Sequence, residues 1–181
     1  MRYNQIRECD IANGEGIGIA LFVQGCNFHC YNCFNKDTWD FNGGKEWTSE
    51  VEDKFIKLAN RPHIKRISLL GGECLVDENL DGVLNLVNKM RILMPNKTIW
   101  IFSGYTWNQI MFPVITGEVN FQRDEIINKR KKIVSLCDVL IDGIYIESQR
   151  DTSLKWRGSK NQRVIDVKKT LQQGKIVLHC D

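Results

Sequence analysis

The chain has 181 residues, with 25 Lys and Arg against 22 Asp and Glu, for a formal net charge of +3. That length supports one core and one domain over residues 1–181, and hydrophobic and charged fractions of 43% and 26% are those of an ordinary globular protein. No apolar run approaches the ~18 residues of a membrane span, the polar start MRYNQIRECDIANGEG lacks a signal-peptide core, and no basic stripe interleaved with aromatics points to nucleic acid. The expectation is a cytoplasmic protein that engages neither membrane nor nucleic acid.

Gly14, Gly16 and Gly18 precede the first apolar run and predict a flexible turn; a dinucleotide fingerprint fits poorly, because its glycines must follow a strand. Residues 17–23 form the first predicted strand, and Cys26, Cys30 and Cys33 follow at once as C-x3-C-x2-C with His29 between them. Thr48 or Ser49 caps a helix whose Val51, Phe55, Leu58 and Ala59 share one face, and Arg61-Pro62 ends it. Residues 64–70 form a second strand that stops at Gly71-Gly72-Glu73, after which Asp77 caps a helix striped by Leu80, Val83, Leu84, Val87 and Met90. A third strand over 98–102 runs into Ser103-Gly104-Tyr105, and residues 107–111 start a further helix. A charged helix spans 123–136, with the basic run 129–132 read as a solvated face. Residues 139–142 form a fourth strand stopped at Gly143, residues 151–162 are irregular, and 163–167, 168–173 and 176–179 read as strand, helix and strand.

Strands spaced by helices imply a parallel sheet, and right-handed crossovers place each strand-to-helix loop on one edge. The fold class is therefore α/β, as a partial, open parallel (β/α) barrel of about six strands. Its C-terminal rim gathers the cysteine loop, Gly71-Gly72-Glu73, Ser103-Gly104-Tyr105 and Asp142-Gly143, where parallel α/β proteins bind ligands.

Seven cysteines without a secretion signal read as reduced thiols, and clustered reduced thiols are metal ligands or redox groups more often than bridges. Cys9, Cys74, Cys137 and Cys180 stand alone and read as small buried hydrophobes. Structural zinc wants four protein ligands, and a cubane iron-sulfur cluster usually takes four cysteines. Three leave one iron open to a substrate or cofactor. His29 is the rival fourth ligand for a Cys3His zinc site, but it adjoins Cys30 and reaches the same metal with difficulty. Gly71-Gly72 directly after a strand lets backbone approach a ligand closely, with Glu73 or nearby carbonyls placed to accept hydrogen bonds from an ammonium.

C-x3-C-x2-C after one strand and Gly-Gly-Glu after the next resemble the radical S-adenosylmethionine enzymes. More narrowly, LFVQGCNFHCYNCFNKDTWDFNGG, IWIFSGYTW, DVLIDG and LKWRGSKNQRVIDVKKTL are similar to the family of activating proteins of anaerobic ribonucleoside-triphosphate reductase, and these segments spread over most of the chain. The resemblance implies a [4Fe-4S] cluster on Cys26, Cys30 and Cys33 whose open iron chelates S-adenosyl-L-methionine. It also implies reductive cleavage to a 5'-deoxyadenosyl radical, and abstraction of hydrogen from one glycine of the partner reductase. By the same resemblance Asn32, Cys33 and Phe34 pass near the adenine, Gly71, Gly72 and Glu73 near the methionyl ammonium, and Ser103 and Asp142 lie along the rim. Flavodoxin or ferredoxin is implied as electron donor, because the chain has no second cysteine cluster. The chain departs from the pattern at Asn32, where relatives often carry an aromatic residue, at Cys74, where they often carry proline, at Glu15, and in a longer charged segment over 116–132. An activase of another glycyl-radical enzyme such as pyruvate formate-lyase, or a non-catalytic metal or electron-transfer module, are the competing readings. Trp156 to Ser159 and Asn161 to Arg163 belong to the resemblance without an assignable role.

Overall fold

The computed structural model describes residues 1–114 and 120–180. Four apolar runs build its centre as parallel strands: β2 (Gly18–Val23), β4 (Arg66–Gly71), β5 (Thr98–Ser103) and β6 (Val139–Asp142). Such strands are covered on both sides, which is why their sequences read as continuous hydrophobic stretches instead of alternating ones. The edges run the other way. β1 (Arg2–Asp10) pairs antiparallel with β2, β3 (Lys45–Glu46) pairs antiparallel with β1, and β7 (Arg163–Asp166) pairs antiparallel with β6. The result is one seven-stranded sheet in the order β3-β1-β2-β4-β5-β6-β7, open at both ends as expected and one strand larger.

Two of the strand expectations change. The run at 17–23 is the second strand, because Arg2–Asp10 precedes it as an edge strand whose polar, half-exposed residues gave no strand signal. Residues 176–179 add only an isolated bridge, Ile165 to Leu178, and not a strand.

The helices α1 (Ser49–Ala59), α2 (Asp77–Leu93), α3 (Trp107–Met111), α4 (Phe121–Leu136) and α5 (Val167–Gln173) all contribute to a single core on one side of the sheet. Ile19, Leu21, Ile67, Leu69, Ile101 and Leu140 point into that core. Their alternate neighbours Ala20, Phe22 and Leu70, and further along Trp100, Val139 and Ile141, point to the opposite face, where they form two small apolar clusters. Loop residues Ala12 and Asn13 and the segment Leu154 to Gly158 lie over that second face, leaving a cavity of about 440 Å³.

Capping sets the helix starts. The Thr48 hydroxyl accepts from the Val51 amide, as expected for α1, whereas the cap position of α2 is Val76, with Asp77 as its first helical residue. The carboxamide oxygen of Asn120 accepts from the amides of Gln122 and Arg123, so α4 begins two residues earlier than its sequence pattern suggested. The basic run on α4 is a solvated face only in part. Lys129 pairs with Asp81 at 2.7 Å and with Glu125 at 2.7 Å, and Arg130 pairs with Asp77 at 2.7 Å, so two of its four cations fasten α4 to α2. Of the charged segment 116–132, residues 116–119 lie outside the described part of the chain.

A buried charge holds the second face together. Arg66 is fully buried, and its guanidinium donates to the Asp10 carboxylate at 2.9 Å and to the carbonyls of Asp10, Asn13, Glu15 and Gly16 at 2.6–3.4 Å. A β-carbon on Gly14, whose φ is +135°, would meet Arg66 Cδ at 2.5 Å and the Trp100 ring at 2.9 Å. Gly14 is therefore a packing requirement of the latch, and not the flexible turn its sequence context predicted.

Candidate active site

The strand register puts the predicted rim in one place. Val23 stands opposite Gly71, and Ser103 opposite Asp142, so the loops that follow β2, β4, β5 and β6 leave the sheet at the same edge. Cys26, Cys30 and Cys33 share a cleft of about 160 Å³ there with Gly71, Gly72, Glu73, Ser103 and Gly143. The loop that carries the thiols is held to the body by its own backbone. The amide of Gly25 donates to Thr38 (2.8 Å), that of Cys26 to Trp39 (3.1 Å), and that of Glu73 to the Gly25 carbonyl (2.7 Å). Buried Asn79 donates to both the Gln24 and Glu73 carbonyls, at 2.9 and 3.0 Å, and so joins the cysteine loop to the Gly-Gly-Glu turn.

This contact explains the paired glycines differently from a ligand-clearance argument. A side chain on Gly72 would collide with the Gly25 carbonyl, and one on Gly71, at φ +109°, with the backbone of Phe22 and Val23. The two glycines let the cysteine loop lie against the end of β4 while still lining the cleft.

Glu73 is 1% exposed, and its carboxylate accepts from the Ser103 hydroxyl (2.8 Å), the Gly104 amide (2.7 Å) and the Leu75 amide (2.8 Å). Burial pushes its carboxyl up, against the pull of those three donors. It thereby ties the β4 turn to the β5 turn. Removing it strips three donors of their acceptor, at roughly 1–3 kcal/mol for each one left bare. Glu73→Ala should therefore lower the thermal midpoint by many degrees; a melt within about 0.5 kcal/mol of the parent, the range of an ordinary surface change, would contradict the tie.

Asp142 does not face the cleft. It is 1% exposed, accepts from the Trp107 amide at 2.7 Å, and pairs with Arg163. It fixes the start of α3 and the β6–β7 edge. Asn32, at φ +56°, and Phe34, 85% exposed, border a neighbouring groove of about 390 Å³ with Cys33, Tyr145 and Arg150. His29 is exposed, lies tilted against the Trp39 ring with centroids 4.7 Å apart, and is not part of the cleft wall.

Desolvation raises the Cys26 thiol to about 11, and raises Cys30 as well, so both must release protons when they bind metal. Among the described residues no three His, Cys, Asp or Glu side chains converge on a point that would hold a single ion. The three thiols are arranged around a shared cleft instead, as suits a cluster in which each thiolate binds a separate iron. Cys74 and Cys137 are fully buried, in line with the small-hydrophobe reading; Cys9 is exposed and Cys180 half-buried, which corrects it for those two.

Sequence reasoning missed the cleft's aromatic brace. The Phe28 ring meets Tyr105 edge-on at 4.9 Å, and Arg130 stacks 4.3 Å from the Tyr105 ring centroid while donating to the Leu75 carbonyl at 2.8 Å. No local pattern marks such a chain of contacts, because its three members lie on three separate elements.

Comparison with known proteins gives the same assignment. Residues 12–165 match the family described as 4Fe-4S single cluster domain. The chain is 39% identical over 166 residues to the anaerobic ribonucleoside-triphosphate reductase-activating protein of Escherichia coli (strain K12), covering 91% of this chain and 97% of that one. It is 37% identical to the protein of the same name from Vibrio cholerae, covering 90% and 96%, and 32% identical to that of Enterobacteria phage T4, covering 91% and 93%. The chain belongs to the family of anaerobic ribonucleoside-triphosphate reductase-activating proteins, built on a 4Fe-4S single cluster domain.

Proposed function

We propose that this chain activates an anaerobic ribonucleoside-triphosphate reductase by generating a glycyl radical on it, with a [4Fe-4S] cluster and S-adenosyl-L-methionine as its cofactors. The observation that carries the reading is the composition of the cleft. Three thiols share it with a single carboxylate, Glu73, whose oxygens already accept three hydrogen bonds. Cys26, Cys30 and Cys33 would each hold one iron, and among the described residues no fourth ligand in the cleft competes for the last. When bound, the cluster and its cofactor supply reductive cleavage of the sulfonium to methionine and a 5'-deoxyadenosyl radical, which takes a hydrogen atom from the partner's glycine.

The protein's own part is placement and exclusion of water. Gly71 and Gly72 present backbone to the methionyl ammonium, with Glu73 and Ser103 holding that wall rigid from behind. Asn32 and Phe34 border the groove proposed for the adenine. Phe28, Leu70 and Phe102 give the cleft apolar sides, and Asp142 acts from outside it by fixing Arg163 and the start of α3. The electron comes from an external flavodoxin or ferredoxin. The names of the relatives favour the reductase over another glycyl-radical enzyme as partner. No helix among the described residues is long and apolar enough to cross a membrane.

The test is anaerobic reconstitution followed by reduction and addition of S-adenosyl-L-methionine and the reductase. The expected result is methionine and 5'-deoxyadenosine in equal amounts, together with an organic radical doublet on the reductase by electron paramagnetic resonance. Tetrahedral zinc in place of iron, or a full iron load without cleavage, would overturn the reading.

A further inference from the structure

The segment 158–162 clamps the loop that follows β6. The Gln162 carboxamide nitrogen donates to the Gly143 carbonyl at 2.9 Å, while its oxygen accepts from the Gly158 and Ser159 amides at 2.9 and 3.2 Å. Asn161 donates to the Ile144 carbonyl at 2.8 Å, and the hydroxyl of fully buried Ser159 accepts from the Ile146 amide at 3.2 Å. That hydroxyl also donates to the Asn161 carboxamide oxygen at 2.7 Å, which leaves the amide nitrogen of Asn161 for Ile144. A β-carbon on Gly158 would meet the Tyr145 ring at 3.0 Å, so the clamp lies directly against the loop. Backbone groups on both sides of Tyr145 are therefore held in place.

The clamped loop borders the thiols. Gly143, Ile144, Tyr145 and Gln162 line the cleft with Cys26, Cys30 and Cys33, and Tyr145 also lines the neighbouring groove beside Cys33. Burial raises the Cys30 thiol, and the Tyr145 backbone amide, donating a hydrogen bond to its sulfur, pulls the other way. The sulfur of Cys33 accepts from the Asn35 amide at 3.4 Å, and that of Cys26 from the Phe28 and His29 amides, all within the cysteine loop. Cys30 takes its Tyr145 donor from across the cleft. The Ile144 carbonyl and the Tyr145 amide belong to one peptide group, and in a trans peptide the oxygen and the hydrogen point in opposite directions. Asn161 holds the oxygen end, so the N–H end is aimed at Cys30. A hydrogen bond to the carbonyl also polarises the N–H and strengthens it as a donor.

We propose that Asn161, supported by Ser159 and Gln162, is a positioning residue for the cluster: through the Ile144–Tyr145 peptide it holds an amide on the Cys30 thiolate and so raises the cluster's reduction potential. The inference rests on the cluster proposed above and deepens that reading by assigning its redox poise to the clamp. A hydrogen bond to a ligand sulfur stabilises the reduced cluster, which carries the greater negative charge. One electron leaves the external carrier and enters the cluster, with no proton or atom transferred. A higher potential enlarges the reduced fraction that the carrier maintains, and only the reduced cluster cleaves the sulfonium.

The test is a redox titration of the anaerobically reconstituted protein without S-adenosyl-L-methionine, read by electron paramagnetic resonance of the reduced cluster. Two altered proteins are compared with the parent. One is Asn161→Ala; in the other the Tyr145 amide becomes an ester, by incorporation of the α-hydroxy analogue of tyrosine, which removes the N–H and keeps every side chain. For the ester the expected result is about a tenfold fall in the one-electron reduction constant, a midpoint about 59 mV more negative. Asn161→Ala should fall in the same direction by about threefold or more. Water admitted by a merely loosened loop would favour the more highly charged reduced cluster and move the midpoint upward, so the sign separates tuning from structural damage. An ester protein at or above the parent's midpoint would overturn the proposal; Asn161→Ala at or above it, beside a lowered ester, would overturn the role of Asn161. Should one altered protein fail to take up iron, the other decides. Lowered midpoints in a protein whose parent cleaves no S-adenosyl-L-methionine would leave the tuning role standing and remove the proposed activity. Cleavage by the parent with unmoved midpoints would remove the tuning role alone, and a parent that takes up no cluster would overturn both.

Discussion

Cys30→Ala protein, reconstituted anaerobically, should hold less than one iron per chain in place of about four, and its cleavage of S-adenosyl-L-methionine should fall to background. Two thiolates cannot hold a cubane, and the cleft offers no replacement: Glu73 is occupied by Ser103, Gly104 and Leu75, and His29 is turned to Trp39 outside the cleft wall. The fold should survive. Cys30 is a half-buried loop residue that contributes nothing to the main core, so the apo protein should melt within about 0.5 kcal/mol of the parent. Cys74→Ala should behave in the opposite way. Cys74 is fully buried in the core, so its loss should destabilise by about 1 kcal/mol and leave iron binding intact. Iron retained by Cys30→Ala at the parent level would contradict the ligand assignment.

Arg66→Met should destabilise the chain by roughly 3–5 kcal/mol, the cost of breaking a buried pair by removing one partner. The substitution takes the guanidinium from the Asp10 carboxylate, which keeps only the Asn13 amides, and from the carbonyls of Glu15, Gly16 and Asn13, the last of which keeps the Ser68 hydroxyl. The dependence on pH gives the effect a signature. Burial pushes the Asp10 carboxyl up, but the Arg66 guanidinium and the Asn13 amides more than offset it, so the net direction is down. A depressed carboxylate contributes stability above its unfolded value, and that stability is lost as pH falls through the lower folded value. Without Arg66 only burial and Asn13 remain, and the buried charge becomes a penalty. The gap between parent and variant should therefore be widest near neutrality and narrow as pH drops below about 4, to the part owed to the backbone carbonyls. Asp10→Asn in the Arg66→Met background should recover part of the loss at neutral pH. Denaturant titrations from acid to neutral pH measure both; a gap independent of pH would show that the latch does not work through Asp10.

The part of the molecule legible in the sequence is the part built from contiguous signals. Apolar runs at 17–23, 64–70, 98–102 and 139–142 mark the four parallel strands because burial on both faces removes any alternation. The three thiols and Gly71-Gly72-Glu73 mark the rim because each follows a strand directly. What stayed hidden depends on partners distant along the chain. The residues of β1 look like a polar entry because an edge strand is half-exposed, and Arg66 looks like a charge at a strand's beginning until Asp10, 56 residues away, closes over it. Lys129 and Arg130 resemble a solvated run although Asp81 and Asp77 on another helix neutralise them. Asp142, placed at the rim by its position after a strand, turns its carboxylate to Trp107 and Arg163, a direction that the side-chain period alone does not supply. The clamp around Ser159 was visible only as a motif of unknown purpose, since its hydrogen bonds reach back to Gly143, Ile144 and Ile146.

The central claim is that the cofactor bound at the cysteine cleft takes hydrogen from a glycine of the partner. The most direct measurement uses reductase labelled with deuterium at the α-carbon of glycine, incubated with the reduced, reconstituted protein and unlabelled S-adenosyl-L-methionine. The account predicts one deuterium in the 5'-deoxyadenosine formed, by mass spectrometry, in proportion to the glycyl radical. Unlabelled 5'-deoxyadenosine alongside a full radical yield would contradict it.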